Sequence, residues 1–216
     1  IINSSYNEKL SFINSLNGQY VKSGPSGAPT RGKTEALPTG KNFFSVDSRG
    51  LPTESAWIVG RNSASQILDL YKQENGEDLE NIAISVWATS TMRNGGEDIC
   101  QILYLLGVQP IWDGPSRRVI DLEIIPLSIL DRPRVDVTLR ISGMFRDAFP
   151  QLVKLTSKAI NLVSNLNEDD IFNPLAKALK EGDPINRIFG SAPGSYGAGL
   201  QELISNSNWE NIDDFG

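Results

Sequence analysis

The sequence predicts an α/β fold: a small, mostly parallel sheet flanked by helices, preceded by a long irregular Gly/Pro-rich stretch. Three observations support this. Ile82-Ala83-Ile84-Ser85-Val86-Trp87 and Val108–Trp112 are short, apolar and rich in β-prone residues, as buried strands are. Residues 135–142 alternate apolar and polar side chains strictly, the signature of a strand with one buried face. Around these runs, apolar residues recur at the helical period of about 3.6. A chain of 216 residues, 39% hydrophobic and 21% charged, carries enough apolar surface for a real core.

In chain order, Leu10, Ile13 and Leu16 give residues 5–17 a weak helical stripe that Gly18 closes. Lys22 to Pro52 reads as extended loop, and a stretch that long inside a compact domain is more often functional than idle. Thr53 and Glu54 can open a helix whose face carries Trp57, Ala64, Ile67, Leu68 and Tyr71, with Asn75-Gly76 ending it. Asn94-Gly95-Gly96 separates the 82–87 strand from a helix over Glu97–Leu106, and Gly107 leads into the 108–112 strand. That order predicts a βαβ unit with the two strands parallel. Strands over 118–127 and 135–142 follow. Then comes a long helix from Pro150 with Leu152, Leu155, Ala159, Leu162, Val163 and Leu166 inward, and shorter helices at 173–180 and 199–205. We divide this single domain into a loop region (18–56), an α/β core (57–166) and a helical, Gly-rich tail (167–216).

Several function classes are disfavoured. The net charge of −6, from 20 basic and 26 acidic residues, provides no general attraction to phosphate backbones, and nucleic acid is not an expected partner. Histidine is absent, which excludes His-ligated zinc and Ser-His-Asp or Cys-His catalysis from this chain. Cys100, the one cysteine, sits in an apolar run and reads as an inert core thiol in a reducing compartment, with a reactive thiol as the alternative. No signal peptide or membrane span is visible, the cytoplasm is the expected location, and the missing initiator Met suggests an excised piece of a longer protein.

Gly27-Ala28-Pro29-Thr30-Arg31-Gly32-Lys33-Thr34 matches a nucleotide-binding P-loop letter for letter. The context contradicts it. No apolar strand precedes Gly27, Pro38 stops a helix within a turn of Thr34, and Pro29 removes an N–H the phosphates would need. Four other stretches are candidates. Residues 37–57 set Thr39, Lys41, Asn42, Ser45 and Asp47 among Gly and Pro, with Phe43 and Phe44 as a wall, or form an ordinary surface connection. Residues 87–98 carry Gly95-Gly96 ahead of a helix whose N-terminal donors can meet a ligand group, or Glu97 and Asp98 simply complement the helix dipole. In 132–150, Arg134, Asp136 and Arg140 share a strand face, with Arg146-Asp147 beyond. They form either a solvated ladder or a bidentate clasp for carboxylates. Residues 187–200 hold four glycines between Gly190 and Gly199, a weak signal for close backbone approach.

Taken together, the runs LPTGKNFFSVD (37–47), SVWATSTMRNGGED (85–98), GVQPIWD (107–113), RPRVDVTLRISGMFRDAFP (132–150) and RIFGSAPGSYGAGL (187–200) resemble the large subunit of the cobalt and magnesium chelatases. The resemblance runs from Gly24 to Trp209, and the first twenty residues carry little of it. Phe43-Phe44-Ser45-Val46-Asp47, Thr91-Met92-Arg93 and Phe189-Gly190-Ser191 look like the cobalt branch. Ala88, Ser48 and Met144 depart from the family pattern, where Gly, Pro and Phe are common.

The resemblance implies a metal chelatase in which this chain is one part of a much longer subunit that holds ring and metal. The cobalt branch inserts Co²⁺ into hydrogenobyrinic acid a,c-diamide for cobalamin, and the magnesium branch inserts Mg²⁺ into protoporphyrin IX. Separate AAA+-type subunits hydrolyse the ATP, and a non-catalytic scaffold role within the same subunit is the further alternative. Such chemistry needs cations for the ring's peripheral carboxylates, flat walls, and a base for its N–H protons. Lys41, Asn42, Arg93, Arg134, Arg140, Arg146 and Tyr196 are the expected substrate-binding residues, with Phe43, Phe44 and Trp87 as further walls. Glu97, Asp47 and Asp147 are the expected proton acceptors or metal relays. No metal ligand set is assigned.

Overall fold

The computed structural model describes residues 2–25, 29, 34–44 and 48–196. Helix α1 (Ile2–Leu16) leads to β1 (Ser23–Pro25), which pairs in parallel with β2 (Asn42–Phe44). A polar face of α1 holds the intervening chain: the Ser4 hydroxyl accepts from the Thr39 N–H at 3.1 Å and the Ser11 hydroxyl donates to the Gly40 carbonyl. Residues Thr34–Ala36 make a short 3-10 turn, so no long helix follows the P-loop-like run. The rest of that run, apart from Pro29, lies outside the described residues, as do Asp47 and the 199–205 helix, and the Phe43 and Phe44 side chains are likewise outside the description.

Helix α2 (Glu54–Asn75) begins where predicted because the Thr53 hydroxyl accepts the Ala56 N–H at 3.1 Å, and it ends at Gly76 with φ 77°. Strand β3 (Asn81–Val86), helix α3 (Ala88–Asn94) and helix α4 (Glu97–Leu106) follow. Then come β4 (Val108–Trp112), β5 (Val119–Ile124), α5 (Leu127–Leu130), β6 (Asp136–Ile141), α6 (Gly143–Ala148), α7 (Pro150–Ser164), α8 (Pro174–Lys180) and β7 (Ile188–Gly190). The principal sheet is wholly parallel, ordered β3-β6-β7, with Ser85, Arg140 and Phe189 aligned across it.

One pairing differs from the sequence expectation. The 108–112 strand is not the parallel neighbour of the 81–86 strand but folds back antiparallel on β5. Two local features explain this. Asp113 exchanges backbone hydrogen bonds with Arg117 and Arg118, and its carboxylate accepts from Ser116, closing a tight hairpin. Pro110 within β4 has no N–H to give, which a two-stranded ribbon tolerates and a central strand does not. The parallel partner of β3 is β6, reached only after α3, α4 and the hairpin.

Helix α4 is the centre of the core. Ile99, Cys100, Ile102, Leu103, Leu105 and Leu106 are all buried, because α4 packs against α2, α7 and the lower face of β6 together. Val86, Val137, Leu139 and Ile141 supply that sheet face, and Leu152, Ala159, Ile160 and Val163 the facing side of α7. The end of α4 is held by two arginines. Arg134 is fully buried and spends all five N–H donors: on both Glu168 carboxylate oxygens (2.8 Å each), and on the carbonyls of Leu106 (3.2 Å), Gly107 (2.9 Å) and Ile125 (3.0 Å). Arg132 donates to the carbonyls of Tyr104, Leu105 and Pro133 and stacks 5.0 Å from the Tyr104 ring centre. Together they satisfy last-turn carbonyls that a helix leaves unpaired.

Arg134→Ala removes one partner of a buried ion pair and strands three carbonyls and a carboxylate. It is expected to lower stability by about 3–5 kcal/mol, measured as a urea unfolding midpoint. A loss below about 1 kcal/mol, the level of an exposed pair, would show that the cluster contributes little.

Candidate functional site

The lower face of the β3-β6-β7 sheet is covered by helices, but the upper face is open among the described residues. Parallel sheets ordinarily bury both faces under apolar side chains. Here the upward positions are small or polar: Ala83 and Ser85 on β3, Thr138 and Arg140 on β6, and Ser142 just beyond. Large side chains stand at the margins, with Trp87 58% exposed at the end of β3 and Phe189 53% exposed on β7. The segment 191–196 rises beside them and contributes Ser191, Ala192 and Ser195. These groups enclose a cleft of about 610 Å³ at the carboxyl ends of the strands, where open parallel sheets place ligands. At the opposite, amino ends of β6 and β7, Arg187 grips both oxygens of Asp136 at 2.8 and 3.0 Å.

Arg140 is the cation among the described residues lining the cleft, and it is exposed to it. Three other predicted binding residues have different work. Arg134 does not reach the cleft: it precedes β6 and is consumed in the core, so it cannot clasp a ligand carboxylate. Arg146 donates to the carbonyls of Ser191 and Ala192 and forms a two-point pair with Asp147, and the Tyr196 hydroxyl donates to Asp147 at 2.7 Å. Tyr196 therefore stands against α6, and its side chain does not line the cleft. The paired guanidinium and the phenol hydroxyl hold the Asp147 carboxyl below its ordinary range, which weakens it as a base.

The double glycine is also differently employed. Gly95 and Gly96 both have positive φ, 74° and 90°. The α4 donors at Gly96 and Glu97 are taken by the Asn94 side-chain oxygen at 2.8 and 3.2 Å. A Cβ on Gly96 would lie 3.0 Å from Pro52, so the positive φ serves close packing and leaves no room for a ligand group. Pro52 also accepts from the Trp112 indole N–H, and the Thr53 N–H donates to the Gly95 carbonyl. Lys41 and Asn42 lie at the start of β2, where the Lys41 stem packs over Gly24. Arg93 is exposed on α3, and Glu97 opens α4. None of these four lines the cleft. Sequence reasoning missed Ser85, Thr138, Ser142 and Phe189. Strand alternation signals the first three, but only the β3–β6 register turns them into one floor.

Among the described residues, no group of three or more His, Cys, Asp or Glu is placed to hold a metal ion, and no helix is long and apolar enough to cross a membrane. Cys100 is fully buried, and desolvation, reinforced by Asp98 and Glu97, drives its thiol far above the ordinary range.

Comparison with known proteins defines the class first. The CobN/Magnesium Chelatase family model matches residues 1–216, and the chain belongs to that family. It is 50% identical over 211 residues to the aerobic cobaltochelatase subunit CobN of Pseudomonas aeruginosa (90% of this chain, 17% of that protein). It is 33% identical over 213 residues to the chloroplastic magnesium-chelatase subunit ChlH of Oryza sativa subsp. japonica (94% of this chain, 15% of that protein). The solved catalytic subunit of cobaltochelatase from Mycobacterium tuberculosis superposes with a TM-score of 0.79 at 44% identity, covering 96% of this chain and 18% of that one. The chain thus spans less than a fifth of the length of these relatives.

Burial raises the Asp98 carboxyl above its usual range, opposed by hydrogen bonds from the Thr91 hydroxyl and the Ile99 N–H. A carboxyl raised on folding favours the folded state below its unfolded pKa of about 3.9, and that contribution is lost as pH rises through the folded value. Asp98→Asn should therefore gain stability relative to the parent as pH goes from 4 to 7. A gap that stays constant across denaturation curves over this range would contradict the assignment.

Proposed function

We propose that this chain is part of the large subunit of an ATP-dependent cobaltochelatase, which inserts Co²⁺ into hydrogenobyrinic acid a,c-diamide during cobalamin formation. The observation that carries the cobalt reading is the gradient of identity: 50% to the aerobic cobaltochelatase subunit against 33% to the magnesium-chelatase subunit, over nearly the same residues. The ATP is hydrolysed by separate AAA+-type subunits, and this chain works in the cytoplasm on a tetrapyrrole.

The cleft suits such a ligand chemically. A floor of Ala83, Ser85, Thr138 and Ser142 offers a planar surface without projecting bulk, and Trp87 and Phe189 supply aromatic edges at which a conjugated ring can pack. Arg140 then meets a peripheral carboxylate through charge-assisted hydrogen bonds. Lys41, Asn42 and Arg93 serve the ring's periphery beyond the cleft. Insertion of the metal displaces the ring N–H protons, and within this chain, which has no histidine, carboxylates are the acceptors we favour. Glu97 and Asp47 are the acceptors we propose within this chain; the Arg146 pair and the Tyr196 hydroxyl weaken Asp147 for that role.

Arg140→Ala in the large subunit is expected to weaken binding of hydrogenobyrinic acid a,c-diamide roughly 10- to 100-fold, the range for losing a hydrogen bond to a charged group, with Arg140→Lys intermediate. Tryptophan quenching reads this, and undiminished affinity in both variants would remove the cleft from ring binding. Insertion assays with Co²⁺ and the corrinoid against Mg²⁺ and protoporphyrin IX decide the branch. Titration of the chain with Mg²⁺-ATP should show no saturable binding, whereas binding abolished by Lys33→Ala would restore the nucleotide reading.

A further inference from the structure

The floor and the wall of the cleft are held by different forces. The floor is a hydrogen-bonded sheet backed by the core. The wall, residues 191–196, begins where β7 ends at Gly190 and has left the ladder. A cluster centred on α6 fastens it to the body. One Arg146 nitrogen (Nη1) donates to the Ser191 and Ala192 carbonyls at 2.5 and 2.6 Å, and the other two bind both Asp147 oxygens at 2.7 and 2.9 Å. Asp147 in turn accepts from the Tyr196 hydroxyl, and the Tyr196 ring lies 6.0 Å from the guanidinium. Beneath this, the wall presses directly on α6: a Cβ on Gly143 would meet the Ser195 carbonyl at 2.6 Å.

We infer that Arg146, acting through Asp147 and Tyr196, is a positioning residue that sets the wall of the ring cleft, and that it does not itself bind ring carboxylates. This rests on the cleft being the ring site. Two facts oppose a direct contact. The donors of Arg146 are directed at the wall carbonyls and Asp147, and Tyr196 packs beside the guanidinium. A third gives the clasp its character. The side chains of Arg146 and Asp147 are 20% and 44% exposed, and ion pairs this close to solvent are weak and screened by salt. The wall is therefore fastened far less firmly than the floor, and it can adjust around a ring without disturbing the sheet.

The test uses the large subunit reconstituted with its ATPase partners, comparing Arg146→Ala, Arg146→Lys and Tyr196→Phe with the parent. Amide hydrogen exchange at 190–196 should quicken in Arg146→Ala and stay unchanged in β3, β6 and α4. The KM for hydrogenobyrinic acid a,c-diamide should rise roughly tenfold, as for loss of hydrogen bonds to a charged group, the effect falling on KM more than on kcat. Arg146→Lys should recover part of the loss, and Tyr196→Phe should show a smaller one. Unchanged exchange at 190–196 overturns the clasp. Faster exchange with an unchanged KM overturns its role in ring binding. A parent subunit whose tryptophan fluorescence the ring does not quench defeats the ring-site reading and this role with it, a result distinct from the other two.

Discussion

The burial of Arg134 is the constraint around which this structure is organised. A guanidinium taken out of water must find a partner for every N–H, and no single element offers five acceptors. The chain supplies them from three places: the last turn of α4 with Gly107, the end of β5 at Ile125, and Glu168 beyond α7. Each is thereby fixed relative to the start of β6. Glu168 extends the cluster by accepting from Asn173, whose own side-chain oxygen caps α8 at Ala176. A charge that is costly to bury thus specifies the geometry of four helices and strands at once.

The open sheet follows from this arrangement. With α4 and α7 locked beneath β6, one face of the parallel sheet is packed and the other is left with small and polar residues. An ordinary parallel sheet would present valine and isoleucine on both sides. Among the described residues the upper face is therefore polar and open, with aromatic margins at Trp87 and Phe189 and one lining arginine, Arg140.

The ends of the strands also show how similar residues are sorted by context. Arg134, Arg140 and Arg146 lie six residues apart in one motif run, yet one is a core tie, one faces the cleft and one fastens its wall. Alternation along the strand puts Arg134 and Arg140 on one face. What separates them is that β6 begins only at Asp136, so Arg134 is free to turn under α4. Glycines sort in the same way: Gly96 looked available to a ligand and is instead closed over by Pro52.

Much was legible in the sequence alone because it is written locally. Helix starts at Thr53 and Pro150, the stop at Gly107, the strands at 81–86 and 136–141 and the buried stripe of α4 all follow from capping chemistry and periodicity within a few residues. The motif runs identified the family for the same reason. Strand pairing was not legible, since β3 meets β6 across some fifty residues, and the local hairpin signals at Pro110 and the Asp113–Ser116 turn do not identify the parallel partner of β3. Nor were the fates of Arg134, Arg146 and Tyr196, whose partners, apart from Asp147 beside Arg146, are 9 to 49 residues distant in the chain. Which acceptors a long charged side chain finds depends on how packed elements converge, and only the tertiary structure decides that.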